Sequence, residues 1–204
     1  RMLLSETQKY DVYTAILDAS ADAPCAQICN EFHIGNLLDY DDVYNFGKKV
    51  SVLTIEIEHV NIEALYQLEK EGLLIYPQPS VIETIQHKGK QKDFFTQNAI
   101  PTSPHFRFKN NSDLKAAYQS GNFELPFVWK SAQFGYDGTG VKVVRTENDL
   151  HQLANADCIV EELIPFKNEL AVIVARNHSG EIKTYPVVEM EFHPEANQVE
   201  YVIC

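Results

Sequence analysis

The stretch from Phe127 to Val144 decides the fold of the second half of this 204-residue chain. It contains two short runs, Phe127-Val-Trp-Lys130 and Val141-Lys-Val-Val144, on either side of Phe134-Gly-Tyr-Asp-Gly-Thr-Gly140. The outer runs are rich in β-branched and aromatic residues, which predicts two strands. A plain hairpin turn needs only one or two glycines, so three glycines and a carboxylate predict a loop with a further task.

That further task is anion binding. Glycines at 135, 138 and 140 let the backbone adopt positive φ and approach a ligand closely, and successive amides in such turns form an anion-binding concavity. Neither a Walker loop nor a dinucleotide fingerprint fits, since a strand follows rather than a helix. Lys130 ends an apolar strand, where a buried ammonium needs a counterion, and a phosphate would supply one. A loose turn, with Lys130 snorkelling to solvent, stays open as the structural alternative.

Further candidate residues lie elsewhere in the chain. The extended segment Ile159–Ile164 can offer its backbone to a purine edge, and Glu169 can accept hydrogen bonds from ribose hydroxyls, although paired glutamates also fit a solvated strand face. Glu56 and Glu58 share one face of a strand predicted over Val50–Ile57, and such groups line the ligand crevice of a parallel sheet. Lys88 lies in a cation-rich run and His193 stands alone, so both also have plain structural interpretations.

The order of elements predicts two folding units. Strands over Val12–Asp18, Val50–Ile57 and Leu73–Tyr76, with a helix from the Asn61 cap to Gly72, indicate a parallel α/β sheet. After Pro79 the pattern changes. One helix is predicted to begin at a capping box of Ser80 and Glu83, a second covers Lys90–Asn98 and turns Phe94 and Phe95 inward, and a third is capped by Ser112. The glycine-rich hairpin and antiparallel strands follow. We therefore predict an α/β unit over residues 1–79 and an α+β unit over 80–204.

Composition restricts the partners. A net charge of -12 repels phosphate backbones and anionic lipid, so neither nucleic acid nor a membrane is expected. The four cysteines, Cys25, Cys29, Cys158 and Cys204, form no CxxC pair, which argues against zinc and favours reduced thiols in the cytoplasm. The first residues read as the body of a helix and the last as an interrupted strand, so we expect a fragment.

Together these motifs resemble the ATP-grasp carboxylate–amine ligases, and among them the 5-(carboxyamino)imidazole ribonucleotide synthetases of purine biosynthesis. The resemblance covers essentially the whole chain. The matching segments, in the family's order, are Thr54-Ile-Glu-Ile-Glu-His-Val60, Ile85-Gln-His-Lys-Gly-Lys-Gln-Lys92, Ala99-Ile-Pro-Thr102, Lys130 with Phe134–Gly140, and Val160-Glu-Glu162. It implies a Rossmann-like pre-ATP-grasp domain over 1–79, lacking its first strand and glycine turn, then a truncated ATP-grasp domain over 80–204 with a lid at about 107–163.

The resemblance also implies residue roles. Lys88 and Lys130 hold nucleotide phosphates, Gly135–Val141 closes over them, Glu161–Ile164 borders adenine, and Glu169 accepts from the ribose. The implied nucleotide-binding set is Lys88, Lys130, Gly135, Tyr136, Asp137, Gly138, Thr139, Gly140, Val141, Glu161, Glu162, Leu163, Ile164, Glu169 and His193. Tyr136 and Asp137 face the reaction centre, Glu56 and Glu58 face the substrate, and magnesium-binding acids are expected beyond Cys204. Thr139 replaces a basic residue and His87 replaces a common Asp.

The implied activity is ATP-dependent carboxylation of 5-aminoimidazole ribonucleotide by bicarbonate through carboxyphosphate, with Mg²⁺, in a cytoplasmic homodimer. Residues 1–204 alone are expected to be inactive. Three alternatives remain: another ATP-grasp ligase of the glycinamide ribonucleotide transformylase or biotin carboxylase type, an NAD-binding dehydrogenase domain using Asp18, and a non-catalytic nucleotide-binding module.

Overall fold

A computed structural model describes residues 1–133, 135, 140–193 and 198–204. The chain divides into two compact units, Arg1–Gln91 and Lys92–Cys204. Within the described residues, no helix is both long and apolar enough to cross a membrane.

The first unit is a parallel α/β structure, as predicted. Strand β1 (Ala15–Asp18) pairs with β2 (Glu31–Ile34), and β3 (Val52–Thr54) pairs with β4 (Leu74–Tyr76), both in parallel. The helices of this unit are α1 (Met2–Thr7), which a 3₁₀ turn over Gln8–Tyr10 follows, α2 (Tyr40–Gly47), α3 (Ile62–Lys70) and α4 (Pro79–Ile85).

One apolar core holds the first unit together. Phe46 of α2, Leu53 of β3 and Leu68 of α3 are all buried in it. Helix α3 begins where predicted, since the Asn61 side chain accepts a hydrogen bond from the Ala64 amide, and it stops before Gly72, whose φ of +95° favours glycine.

Several local predictions were wrong. Strand β3 ends at Thr54, so Glu56 and Glu58 lie in bends beyond it and do not share a strand face. The backbone there is held by a side chain instead, because Gln86 Nε2 donates to the carbonyls of Glu58 (2.7 Å) and Val60 (2.8 Å).

The predicted Ser80–Glu83 capping box is also absent. Gln78 is the N-cap residue of α4 and Pro79 occupies the first turn, a position that suits proline. The Glu83 carboxylate accepts hydrogen bonds from Tyr66 and Lys90. Helix α5 (Lys88–Gln97) begins two residues earlier than predicted, and Phe94 is exposed rather than turned inward.

The second unit begins with a four-stranded antiparallel sheet in the order β5-β8-β6-β7. Its strands are β5 (His105–Phe108), β6 (Phe127–Ser131), β7 (Val141–Val144) and β8 (Cys158–Glu162). Strands β6 and β7 pair from Phe127 with Val144 to Lys130 with Val141, which confirms the predicted hairpin. Helix α6 (Asn111–Gln119) is capped by Asn110 rather than by Ser112, and α7 (Glu147–His151) has a capping box formed by Thr146 and Asp149.

The two faces of this sheet differ in chemistry. Leu114 of α6, Trp129 of β6, Leu150 of α7 and Val160 of β8 belong to one buried core on the first face. Side chains alternate along a strand, so Lys130 and Glu161 project from the opposite face.

The remaining strands are antiparallel, as predicted. Strands β9 (Glu169–Ala171), β12 (Val188–Phe192) and β13 (Val199–Ile203) form a sheet in the order β13-β12-β9. Strands β10 (Val174–Arg176) and β11 (Ile182–Thr184) form a separate pair. The domain limits at residue 79 and the lid at 107–163 stay predictions.

Candidate functional site

An ion pair between neighbouring strands marks the candidate site. Lys130 lies opposite Ile159, and Glu161 lies opposite Val128, in the antiparallel register of β6 and β8. Lys130 Nζ donates to Glu161 Oε2 over 2.8 Å. Lys130 therefore has a protein counterion, which the sequence interpretation had sought in a bound phosphate.

A second lysine completes the cluster. Lys92 Nζ lies 3.1 Å from Glu161 Oε1 and donates to Thr102 Oγ1 (2.6 Å) and Ser103 Oγ (2.9 Å). Lys92 and Glu161 are buried, with 8% and 6% of their surface exposed. Burial raises the pKa of Glu161, but the hydrogen bonds and charges of Lys130 and Lys92 outweigh it, and the resulting pKa is below the ordinary value. The cluster therefore contains an ionised carboxylate between two ammonium groups.

Lys130 is the accessible cation of the pair. Its side chain is 29% exposed, against 10% for Lys92. Val141 pairs with Lys130 and Val143 pairs with Val128, so both valines share its face of the sheet, and both are exposed. A cation beside exposed apolar side chains can receive a ligand that combines an anionic group with a flat ring.

The loop between β6 and β7 closes at its ends. Gly140 has a φ of +76°, and an added Cβ there would meet the Gly135 Cα at 3.2 Å and the Ser131 Cβ at 3.3 Å. The Ser131 amide donates to the Gly140 carbonyl over 2.8 Å. Gly140 therefore needs glycine for both its conformation and its space. The other loop residues with predicted roles, Tyr136, Asp137, Gly138 and Thr139, lie outside the described residues, as does Phe134.

The predicted adenine-binding segment follows β8. The Glu162 amide donates to the Pro104 carbonyl over 3.0 Å, and strand pairing ends at this residue. The backbone of Leu163 and Ile164 therefore leaves the sheet ladder, as a segment that binds a ligand edge must. A cavity of about 310 Å³ is lined mainly by apolar side chains, among them Phe106, Phe123 and Phe127, and also by Glu161 and Glu162. Lys130, Leu163 and Ile164 do not line it.

Two predicted residues lie in the C-terminal strands of the second unit. Glu169 is half-buried, opens β9 and pairs with Met190. The half-buried His193 donates its amide hydrogen to the Gln198 carbonyl over 2.8 Å. Their roles at a nucleotide stay predictions.

Three predicted residues belong to the first unit. Lys88 is half-buried at the first position of α5, Glu56 is exposed and Glu58 is half-buried.

His87, the residue before α5, takes the place of an Asp that is common in the family, and its hydrogen bonds show why the substitution is tolerated. Its Nδ1 accepts hydrogen bonds from the amides of Gly89 (3.1 Å) and Lys90 (3.3 Å), as an Asp oxygen does at a helix N-terminus.

Sequence reasoning missed Lys92, Thr102 and Ser103. Lys92 lies in the same cation-rich run as Lys88, and the composition of that run does not distinguish it from the other cations there. Its spacing of three residues from the half-buried Phe95 was the available signal, because residues at i and i+3 share one side of a helix.

The part of the chain that the structure describes contains no group of three His, Cys, Asp or Glu side chains placed to hold a metal ion. The described cysteines are all free, and Cys158 is buried, which raises the pKa of its thiol to about 11.

Comparison with known families and proteins gives consistent matches. The model of the ribonucleotide synthetase pre-ATP-grasp domain matches residues 1–86, and that of the ATP-grasp domain matches residues 93–203, more than half of the chain. Phosphoribosylaminoimidazole carboxylase of Candida glabrata is 36% identical over 199 residues, which cover 93% of this chain and 34% of that protein.

Two solved structures from Aspergillus clavatus are also similar. The carboxyaminoimidazole ribonucleotide synthase complexed with ATP has a TM-score of 0.88 and 30% identity, covering 98% of this chain and 53% of that one. The synthase with ADP and 5-aminoimidazole ribonucleotide has a TM-score of 0.83 and 29% identity, covering 96% and 51%.

This chain therefore spans about a third to a half of the length of these relatives. The two family models together account for nearly all of its residues and agree with the parallel α/β unit and the antiparallel sheets. The chain belongs to the ATP-grasp family, and its ATP-grasp domain follows a pre-ATP-grasp domain of the ribonucleotide synthetase type.

Proposed function

We propose that this chain is the nucleotide-binding part of an ATP-dependent ligase that carboxylates 5-aminoimidazole ribonucleotide with bicarbonate. The products are 5-(carboxyamino)imidazole ribonucleotide, ADP and phosphate. Similarity to a phosphoribosylaminoimidazole carboxylase and to synthases with bound ATP, or with bound ADP and aminoimidazole ribonucleotide, supports the proposal.

The observation that carries the proposal is the position of Lys130. It is a partly exposed cation near the end of strand β6 and close before the glycine-rich loop, and its Nζ lies 2.8 Å from Glu161 Oε2. Fixed cations and loop amides suit the charge that spreads over a transferring phosphoryl group.

The other residues have roles by family resemblance. Lys88 and the segment Gly135–Val141 would contact phosphates, the backbone of Glu161–Ile164 would border adenine, and Glu169 and His193 would complete the nucleotide site. Tyr136 and Asp137 would face the reacting groups, and Glu56 and Glu58 would contact the ribonucleotide.

The reaction has two steps. A bicarbonate oxygen forms a bond to the γ-phosphorus while the bond to the ADP oxygen breaks, which gives carboxyphosphate. The exocyclic amine then bonds to the carboxyl carbon, phosphate leaves and the amine loses a proton. By resemblance, the segment Gly135–Val141 would close over the phosphates and shield carboxyphosphate from water.

Magnesium would neutralise phosphate charge in such a reaction. We assign it no step here, and the expectation that its acids lie beyond Cys204 comes from the resemblance alone. A homodimer in the cytoplasm is part of the proposal and comes from the resemblance alone.

The test is acceptor-dependent phosphate release by the complete natural protein. With ATP and bicarbonate, we expect 5-aminoimidazole ribonucleotide to stimulate phosphate release and to yield its carboxylated product. Stimulation by glycinamide ribonucleotide with formate, or by biotin, would instead identify a sister ATP-grasp enzyme. Tight ATP binding without turnover of any acceptor would indicate a regulatory module, and NADH binding in place of ATP would overturn the proposal.

A further inference from the structure

Among the residues that the structure describes, Lys92 has an oxygen partner for each hydrogen of its ammonium group. A lysine ammonium has three N–H bonds, and three described oxygens lie within reach of Lys92 Nζ: Glu161 Oε1, Thr102 Oγ1 and Ser103 Oγ at 3.1, 2.6 and 2.9 Å. Its side chain is only 10% exposed. Lys92 therefore has neither the access nor the hydrogen atoms to bind a ligand directly.

Glu161 divides its two oxygens between the two lysines. Oε2 accepts from Lys130 and Oε1 contacts Lys92. With Lys130 as its only partner, Glu161 would cancel the Lys130 charge. With Lys92 present, the three groups keep one net positive charge, and Lys130 is the member that reaches solvent.

Helix α5 contacts the cluster and the neighbouring strands through two successive side chains. Lys92 connects α5 to β8 through Glu161 and to the segment before β5 through Thr102 and Ser103. The next residue, Asp93, forms an ion pair with Arg107 of β5. Two successive residues of α5 therefore hold the helix against the sheet.

We propose that Lys92 is a positioning residue for nucleotide phosphate. It neutralises and orients the Glu161 carboxylate, so that Glu161 can hold Lys130 in place while the Lys130 charge remains available to an anion. This inference rests on the proposed function, since it requires Lys130 to bind phosphate.

The first test replaces Lys92 by methionine, which keeps the length of the side chain and removes its charge. In Lys92→Met, Glu161 cancels the Lys130 charge, and we expect the KM for ATP to rise about tenfold, as expected for loss of one charge-assisted contact. Because Lys92 supports phosphate binding equally in the ground state and in the transition state, kcat should change less than about threefold. Lys92→Arg keeps the charge and should have a KM closer to that of the natural protein.

The decisive variant combines Lys92→Met with Glu161→Gln. It removes both buried charges and restores a net charge of one on Lys130, so ATP affinity should return to within about threefold of the natural value. A role for Lys92 in packing alone predicts the reverse, a double variant that binds ATP as weakly as Lys92→Met or more weakly. Absence of this rescue would overturn the proposal, as would unchanged ATP affinity in Lys92→Met.

Thermal unfolding monitors the fold of each variant. Should Lys92→Met fail to fold, the double variant takes its place, since it buries no unpaired charge. A folded double variant with near-natural ATP affinity supports the proposal, and a tenfold loss of ATP affinity in that variant refutes it. Failure of the natural protein to bind ATP would refute the proposed function instead, so the two failures are distinguishable.

Discussion

Lys130 Nζ lies 2.8 Å from Glu161 Oε2 across two neighbouring antiparallel strands, and Glu161 is only 6% exposed. The buried carboxylate fixes a cation that is itself partly exposed. Such an arrangement presents a fixed charge to a ligand and requires little reorganisation when the ligand binds.

Removal of the Lys130 ammonium should therefore weaken nucleotide binding. In Lys130→Ala we expect the Kd for ATP to rise at least about tenfold, because one charge-assisted contact to phosphate is lost. Calorimetric titration of the complete natural protein measures this directly.

Lys142→Ala is the matched control. Lys142 is in the adjacent strand β7 and pairs with Trp129, so its side chain leaves the other face of the same sheet. Its Kd for ATP should stay within about twofold of the natural value. Equal losses in the two variants would show that general charge, and not the Lys130 site, attracts the nucleotide.

His87 caps helix α5 through its ring nitrogen. Substitution His87→Leu keeps an apolar group of similar size but removes the acceptor for the amides of Gly89 and Lys90. We expect the free energy of unfolding to fall by about 1 kcal/mol, the usual effect of a lost N-cap. His87→Asn keeps an acceptor and should lose much less in urea denaturation. Equal losses would show that packing, and not capping, explains the histidine.

The strands and the glycine-rich hairpin were predictable because their signals are local. Alternating β-branched residues and turn glycines act over a few positions, and β6 and β7 form where these signals predicted. Gly72 and Gly140 likewise have the positive φ that their positions predicted.

The errors have a different physical origin. Several residues near each helix start can act as caps, and the structure uses Asn110 rather than Ser112. Helix α4 begins at Pro79, whereas the sequence interpretation placed its start at the apparent capping box of Ser80 and Glu83. Lys92 is buried because Glu161, distant in sequence, provides its counterion, and no pattern within a single helix contains that partner.

Glu71 links α2 and α3 at the surface of the first unit. Its carboxylate accepts hydrogen bonds from Lys48 Nζ (2.7 Å), Gln67 Nε2 (2.7 Å) and Tyr44 Oη (2.9 Å). These three groups, Lys48 first, lower the pKa of Glu71 from 4.5 to about 2.

A pKa lowered by folding makes stability depend on pH in one direction. The contribution of Glu71 is fully present above its ordinary pKa of 4.5 and is lost as the pH falls from there through about 2. Glu71→Gln should therefore lower the urea midpoint at neutral pH, and its difference from the natural protein should shrink as the pH falls below about 4.5. The difference should be modest because the partners are partly exposed and solvent screens them.

Urea titrations from about pH 7 down to about pH 3 test this dependence. Glu69→Gln is the control, since Glu69 is an exposed carboxylate of the same helix, and its midpoint difference should stay small throughout. A Glu71→Gln difference that is constant over this pH range would contradict the assigned network.

Gly47 ends α2 in direct contact with Leu68 of α3. A Cβ at this position would lie 2.3 Å from Leu68 Cδ1 and 2.8 Å from Cδ2, and Leu68 is 1% exposed within the core. Gly47→Ala should therefore lower the free energy of unfolding by about 1–3 kcal/mol through overpacking, although alanine favours a helix by about 0.5–1 kcal/mol over glycine.

Asn45→Ala, at an exposed position of the same helix, is the control and should change stability by less than about 0.5 kcal/mol. Leu68→Ala creates the space that the new methyl group needs, so the double variant should be more stable than the sum of the two single losses predicts. Strict additivity in urea denaturation would show that the helices separate to admit the methyl group, and that the close packing of α2 on α3 is not what requires glycine.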